Sequence, residues 1–102
     1  LLETATIGTA RVLGLDDRIG SLTPGKRADF ILVRTNDLNV APFINPSLLL
    51  VQQAQPANVD TVVIDGRILK HKGELVAIDV EEVIRKAAES FDAARKRAGG
   101  PY

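Results

Sequence analysis

The chain has no cysteine, no methionine and one histidine in 102 residues, and these absences narrow its chemistry before any motif is considered. Without cysteine there is no disulfide staple, no thiolate nucleophile and no cysteine-based zinc site, which agrees with a reducing cytoplasm. One histidine is too few for a usual hydrolytic metal site, which gathers several His and carboxylate ligands around an open position. No apolar run approaches the ~20 residues of a membrane span, and no basic region leads into an apolar signal core. Charge is balanced, with 13 basic and 13 acidic residues, so no net field draws the chain to nucleic acid or an anionic membrane. The expectation is a cytoplasmic protein with neither of those partners. The missing methionine, together with helical periodicity already under way at Leu1-Leu2-Glu3, gives the further expectation of a piece of a longer chain.

What is present is ordinary globular composition, 45% hydrophobic and 25% charged. A single domain of this size buries roughly 60 to 70% of its unfolded surface. Residues 1–13 read as a helix with Leu2, Ala5, Thr6, Thr9 and Leu13 on its packing face and Gly14 as its stop. Ile7 falls opposite that face, either as an ordinary exposed isoleucine or as a contact for a neighbour outside this stretch. Pro24-Gly25 is the favoured central pair of a type II turn. It leads into a strand over 28–34, whose run Phe30-Ile31-Leu32-Val33 lacks polar alternation and so predicts cover on both faces. After an irregular loop, Asn45-Pro46 reads as a cap and first residue of a short helix over 46–53. Strands over 59–64 and 67–71 flank Asp65-Gly66, a strong hairpin signal, and a turn at His71-Lys72-Gly73 admits a short strand over 74–76. Residues 79–98 form an amphipathic helix with the apolar stripe Val80, Val83, Ile84, Ala87, Ala88, Phe91, Ala94 and Ala98. Asp79 and Glu82 have the spacing of a capping box, and 99–102 is a tail.

Gly20 through Lys26 fits G-x-x-x-x-G-K, but a phosphate loop requires Ser or Thr next and then a helix, whereas Arg27 and a strand follow. His71, between two lysines, reads as a solvated turn residue. Asp16-Asp17 and Glu81-Glu82 lie in a polar loop and at a helix start, where carboxylates serve structural roles rather than paired acid/base work. Asp29 is a charge at the mouth of a strand, expected to accept backbone amides of the Pro24-Gly25 turn. Arg95-Lys96-Arg97 suits the negative end of a helix and has no aromatic interleaving for nucleic acid. Ser21, Ser47 and Ser90 have no histidine relay. No residue of this chain is assigned a catalytic, cofactor-binding or metal-binding role.

Two stretches carry a resemblance: Ala5-Thr6-Ile7-Gly8-Thr9-Ala10-Arg11-Val12-Leu13-Gly14, and Gly20-Ser21-Leu22-Thr23-Pro24-Gly25-Lys26-Arg27-Ala28-Asp29. With Val59-Asp60-Thr61-Val62-Val63-Ile64-Asp65-Gly66-Arg67, they resemble the C-terminal segment of metal-dependent amidohydrolases. The likeness is greatest to the branch of cytosine, guanine and adenosine-homocysteine deaminases and triazine hydrolases. The resemblance implies an α+β fragment of a parent with a (β/α)₈ barrel plus a small β-sandwich. Residues 1–14 would be the last barrel helix, 15–78 the C-terminal half of the sandwich, and 79–98 a closing helix.

It further implies a parent that hydrolyses C–N bonds, by deamination or by removal of amine or halide, on a cyclic or heteroaromatic substrate with a divalent metal, zinc or iron. The family's H-x-H pair, further His ligands and Asp have no matching positions here. The expected partners are the parent's own barrel and N-terminal strands, and an unpaired sheet edge predicts a homo-oligomer. The alternative reading is a stand-alone structural or oligomerisation module without enzymatic activity.

Overall fold

The computed structural model describes residues 1–99, and it is organised around one four-stranded antiparallel sheet in the order β1-β2-β3-β4. The strands are β1 (Phe30–Val33), β2 (Val59–Ile64), β3 (Arg67–His71) and β4 (Glu74–Leu75). Both hairpin turns follow from residues that tolerate positive φ. Asp65 and Gly66 sit at φ 51° and 76° between β2 and β3, and Lys72 and Gly73 at 50° and 80° between β3 and β4. Positive φ at both central positions is the signature of a type I′ turn, whose twist matches that of the flanking strands. In the β1–β2 ladder Leu32 faces Thr61 while Val33 faces Val59, so Asp60 is the extra residue of a β-bulge.

Helical elements are short except at the end of the chain. A π-helical turn, Thr4–Gly8, runs into α1 (Thr9–Val12). The continuous helix expected over 1–13 is broken at Thr6, whose backbone lies at φ −124° and ψ −105°. The Thr6 hydroxyl donates to the Leu2 carbonyl at 2.8 Å, and the Thr9 hydroxyl donates to the Thr4 carbonyl. Such back-bonding by β-branched residues widens a helical turn. At the other end the stop is a Schellman motif: the Leu15 amide donates to Ala10 and the Gly14 amide to Arg11, with Gly14 at φ 71°.

α2 (Pro46–Leu48) continues as a π-helical stretch, Leu49–Gln53, and is capped by Asn45, whose side chain accepts from the Leu48 amide at 2.7 Å. A 3₁₀ turn, Pro56–Asn58, that the sequence did not announce leads into β2. α3 (Val80–Ala98) begins with Asp79 accepting from the Glu82 amide at 3.1 Å. The capping box is one-sided, because the Glu82 carboxylate pairs instead with Lys86 at 3.0 Å. Gly99 at φ 65° ends the helix; the remainder of the 99–102 tail lies outside the described residues.

Burial is informative at three places. Leu2, Ala5, Thr6, Thr9 and Leu13 are all exposed, and the buried residue of the first helical segment is Ala10. Ile7 has a neighbour within the chain, since Gly20, at φ 96°, passes so close that an added Cβ would lie 2.9 Å from the Ile7 Cα and 2.8 Å from the Ala10 Cβ. Phe30, Ile31 and Leu32 of β1 are 37%, 50% and 53% exposed, and β1 is an edge strand with no strand beyond it among the described residues.

Among the described residues only Ala10, Val40, Leu49 and Val63 are buried apolar side chains. The accessible surface is 8072 Å², against about 5,600 Å² for a compact monomer of the same 11.0 kDa mass. The radius of gyration is 18.5 Å, where a compact domain of this length has about 13 Å.

Candidate functional site

Among the described residues, side chains converge in a polar clasp and in an apolar groove. The clasp is centred on Asn58, which is only 3% exposed and uses its whole hydrogen-bonding capacity. Its Nδ2 donates to Asp37 Oδ2 at 2.8 Å and to Asn39 Oδ1 at 2.9 Å. Its Oδ1 accepts from the Gln55 amide and from Asn39 Nδ2, each at 2.8 Å. Around it, Arg34 Nε donates to Asp37 Oδ2 at 3.0 Å, Nη1 to Asp60 Oδ1 at 3.4 Å, and Nη2 to the Ala57 carbonyl.

Local structure delivers each member of this cluster. Arg34 directly follows β1, and its amide continues the ladder by donating to the Asn58 carbonyl at 2.9 Å. The bulge frees Asp60 from regular cross-strand pairing, and the Pro56–Asn58 turn turns Asn58 inward. The loop after β1 folds back, with the Val40 and Ala41 amides both donating to the Asp37 carbonyl, and this tucks Val40 to 1% exposure.

The clasp holds its charges fixed. Hydrogen bonds from Asn58 and then Arg34 keep the Asp37 carboxyl below its ordinary value of 3.8. The Thr61 hydroxyl at 2.7 Å does the same for Asp60, helped by Arg34. Arg34 is raised in turn, first by its hydrogen bond to Asp37. Carboxylates held ionised by such partners do not exchange protons near neutral pH, so the arrangement suits tying a loop to a sheet rather than acid/base chemistry.

The groove, of about 580 Å³, runs between the first helical segment and the β1 edge, walled by Thr9, Leu13, Leu22, Phe30, Ile31 and Val62. Its one carboxylate is Asp29. The sequence reading placed Asp29 on the Pro24-Gly25 turn, but its Oδ1 accepts the Asp65 amide at 2.6 Å, so it fastens the β2–β3 turn instead. That amide is 36 positions away, which local turn chemistry does not reveal. The Pro24-Gly25 turn closes unaided through the Lys26 amide to Thr23 at 3.1 Å, with Gly25 at φ 91°. Lys26, the lysine of the G-x-x-x-x-G-K match, donates to the Ser21 hydroxyl at 2.8 Å.

The remaining candidates stay apart. His71 and Asp16-Asp17 are exposed, as are Glu81-Glu82 and Arg95-Lys96-Arg97 on α3. Among the described residues no three His or acidic side chains converge to hold a metal ion. No helix among them is long and apolar enough to cross a membrane. Sequence reasoning missed Arg34, Asp37, Asn39 and Asn58; the only hint was the density of Asn and Asp after β1.

Comparison with known proteins puts this geometry in context. The sequence pattern of the amidohydrolase family matches residues 1–69. A 5-methylthioadenosine/S-adenosylhomocysteine deaminase of Desulforudis audaxviator is 47% identical over 87 residues, covering 85% of this chain and 20% of that protein. A 5′-deoxyadenosine deaminase of Methanobrevibacter smithii is 40% identical over 92 residues, or 89% of this chain and 21% of that one. Among solved structures, an adenosine deaminase from Xanthomonas campestris with bound zinc superposes with a TM-score of 0.87 at 34% identity, over 93% of this chain and 22% of that one. The zinc complex of an atrazine chlorohydrolase from Arthrobacter aurescens gives a TM-score of 0.76 at 26% identity, over 86% of this chain and 19% of that one. The chain thus spans about a fifth of the length of these relatives, and its sheet and helices match the C-terminal part of their structures.

Proposed function

The chain belongs to the amidohydrolase family, and from that premise we propose that it is the C-terminal scaffold of a hydrolase that deaminates an adenosine-type nucleoside. The observation that carries the reading is the superposition on the zinc-bound adenosine deaminase, at 34% identity over 93% of this chain. The names of the deaminase relatives support choosing, within the wider class of cyclic and heteroaromatic C–N substrates, an adenosine-type nucleoside. The divalent metal of such an enzyme, zinc or iron, supplies a Lewis acid that activates water. No step is assigned to it in this segment.

In this reading the chain's own residues are structural. The clasp fixes the loop after β1, Asp29 fixes the hairpin, and Gly20 lets the loop before β1 lie against the first helical segment. Residues 1–14 are the last barrel helix, and the barrel and N-terminal strands of the same polypeptide cover the groove and the β1 edge. The surface excess of about 2,500 Å² over a compact monomer supports such cover, as does the apolar character of β1. The cytoplasmic setting belongs to the same proposal. The test is expression of the complete reading frame and assay of ammonia release from 5′-methylthioadenosine, S-adenosylhomocysteine and 5′-deoxyadenosine, with metal content measured in parallel. Metal-dependent ammonia release is the expected result; a metal-loaded, folded protein inert on all three overturns the substrate class.

A further inference from the structure

Asp65-Gly66 is the one place in the sequence where glycine follows an aspartate or an asparagine. Such a pair carries its own chemistry. The Gly66 nitrogen has no side chain beside it to hinder its approach, and it can attack Cγ of the neutral Asp65 carboxyl. The new C–N bond closes a succinimide ring, while the carboxyl hydroxyl leaves as water with the amide proton. Water then adds to either ring carbonyl and reopens the ring. One opening restores aspartate; the other leaves the main chain running through the side chain, as isoaspartate. No oxidant or reductant enters the balance, and the water lost in the first step is regained in the second.

The setting of this pair offers no steric shield. Both residues are exposed, and no atom lies within 4 Å of where a Gly66 Cβ would stand. Restraint comes instead from two hydrogen bonds. In a two-residue type I′ hairpin the amides of the central residues point away from the ladder, where water is their usual partner. Here both are taken up by the chain itself. The Asp65 amide donates to Asp29 Oδ1 at 2.6 Å, and the Gly66 amide donates to the Ala28 carbonyl at 3.0 Å. Ala28 and Asp29 are the two residues that lead into β1, and β1 pairs with β2 from Phe30 opposite Val63. The lead-in is thereby laid across the turn.

Each bond opposes ring closure at a separate point. The Gly66 nitrogen must give up its proton to become a nucleophile, and that proton is held by the Ala28 carbonyl. The Asp65 backbone must rotate to bring Cγ to the Gly66 nitrogen, and the bond from its amide to Asp29 resists the rotation. Ring closure therefore waits for local opening of the turn. The consequence of closure is structural as well. Isoaspartate lengthens the main chain at Asp65 by one carbon, which disturbs the pairing of Ile64 with Arg67 at the head of the hairpin.

We propose that Asp65-Gly66 is a site of spontaneous isoaspartate formation, and that the Asp29 carboxylate and the Ala28 carbonyl form a guard that keeps it slow in the folded protein. The proposal rests on the two bonds to this turn and does not depend on the enzymatic reading.

The test ages the complete protein at physiological temperature and neutral pH and measures isoaspartate at Asp65 by peptide mapping. The folded parent is expected to react on the order of twentyfold more slowly than the same protein in urea, as two amide bonds of ordinary strength imply. Asp29→Ala is expected to raise the folded rate about fivefold, and Asp29→Asn, which keeps a carbonyl acceptor, to stay within about twofold of the parent. Asn58→Ala weakens the clasp without touching either bond to the turn, and is expected to leave the rate unchanged. That variant separates a guarded turn from a protein that is merely less stable. The same order is expected in an Asp65→Asn background, where asparagine suits the positive φ and loss of ammonia through the same ring is read by mass. Four results would overturn the proposal: a folded parent as fast as the unfolded one, Asp29→Ala no faster than the parent, Asp29→Asn as fast as Asp29→Ala, or Asn58→Ala as fast as Asp29→Ala.

Discussion

The sheet with its clasp and the terminal helix are held together in opposite ways. In the clasp, residues 19 to 26 positions apart in sequence, such as Asn39 with Asn58 and Arg34 with Asp60, are bonded to one another, with Asn58 buried and Arg34 and Asp60 half-buried. In α3 every ion pair joins residues three or four apart, and no residue is buried. The first region is a tertiary structure, while the second is a well-capped secondary structure awaiting a surface. Its stability as a helix comes from local terms worth a few tenths of a kcal/mol each.

The contrast is sharpest at Asn58. Replacing it with alanine removes four side-chain hydrogen bonds and leaves the Gln55 amide without its partner. Asn58→Ala should cost roughly 2–4 kcal/mol in a urea titration, whereas Phe91→Ala on α3 should stay within about 0.5 kcal/mol in the monomer. Next in size is Gly20→Ala. The new Cβ would lie under 3.0 Å from both Ala10 and Ile7 at a φ of 96°, so a loss of about 1–3 kcal/mol is expected in the same titration. Asp29→Ala, which frees the Asp65 amide at an exposed turn, should cost about 1 kcal/mol and raise hydrogen exchange at Asp65 and Gly66 while leaving α3 amides unchanged.

The smallest effect is that of pH. Asp37 and Asp60 are both lowered in the folded chain, so their stabilisation is complete above the ordinary carboxylate value of 3.8 and is lost as pH falls through their folded values. Carboxyl titration by NMR should show both midpoints below 3.8, with exchange of the Arg34 amide accelerating in that window.

What the sequence disclosed divides along the same line. The Asp65-Gly66 turn, the Asn45 and Asp79 caps, the Pro24-Gly25 turn and the α3 stripe were legible because each is decided within about four residues. The clasp, the true partner of Asp29 and the burial of Val40 were not, because each depends on pairing across 19 to 36 positions or on a loop folding back. Phe30 to Val33 is half exposed here for a related reason: an apolar run records the surface a strand is suited to, and no strand among the described residues supplies that cover. The Thr6 break was hidden by a regular apolar pattern, which is blind to hydroxyls bonding back to the backbone.

The central proposal is that these residues build a scaffold and that the chemistry of the proposed deaminase belongs to other parts of the longer protein. It is tested most directly by placing Asn58→Ala in the complete protein and measuring kcat, bound metal and the thermal midpoint together. The scaffold reading predicts a lowered midpoint with kcat and metal content unchanged well below it; a loss of kcat or of metal at an unchanged midpoint would contradict it.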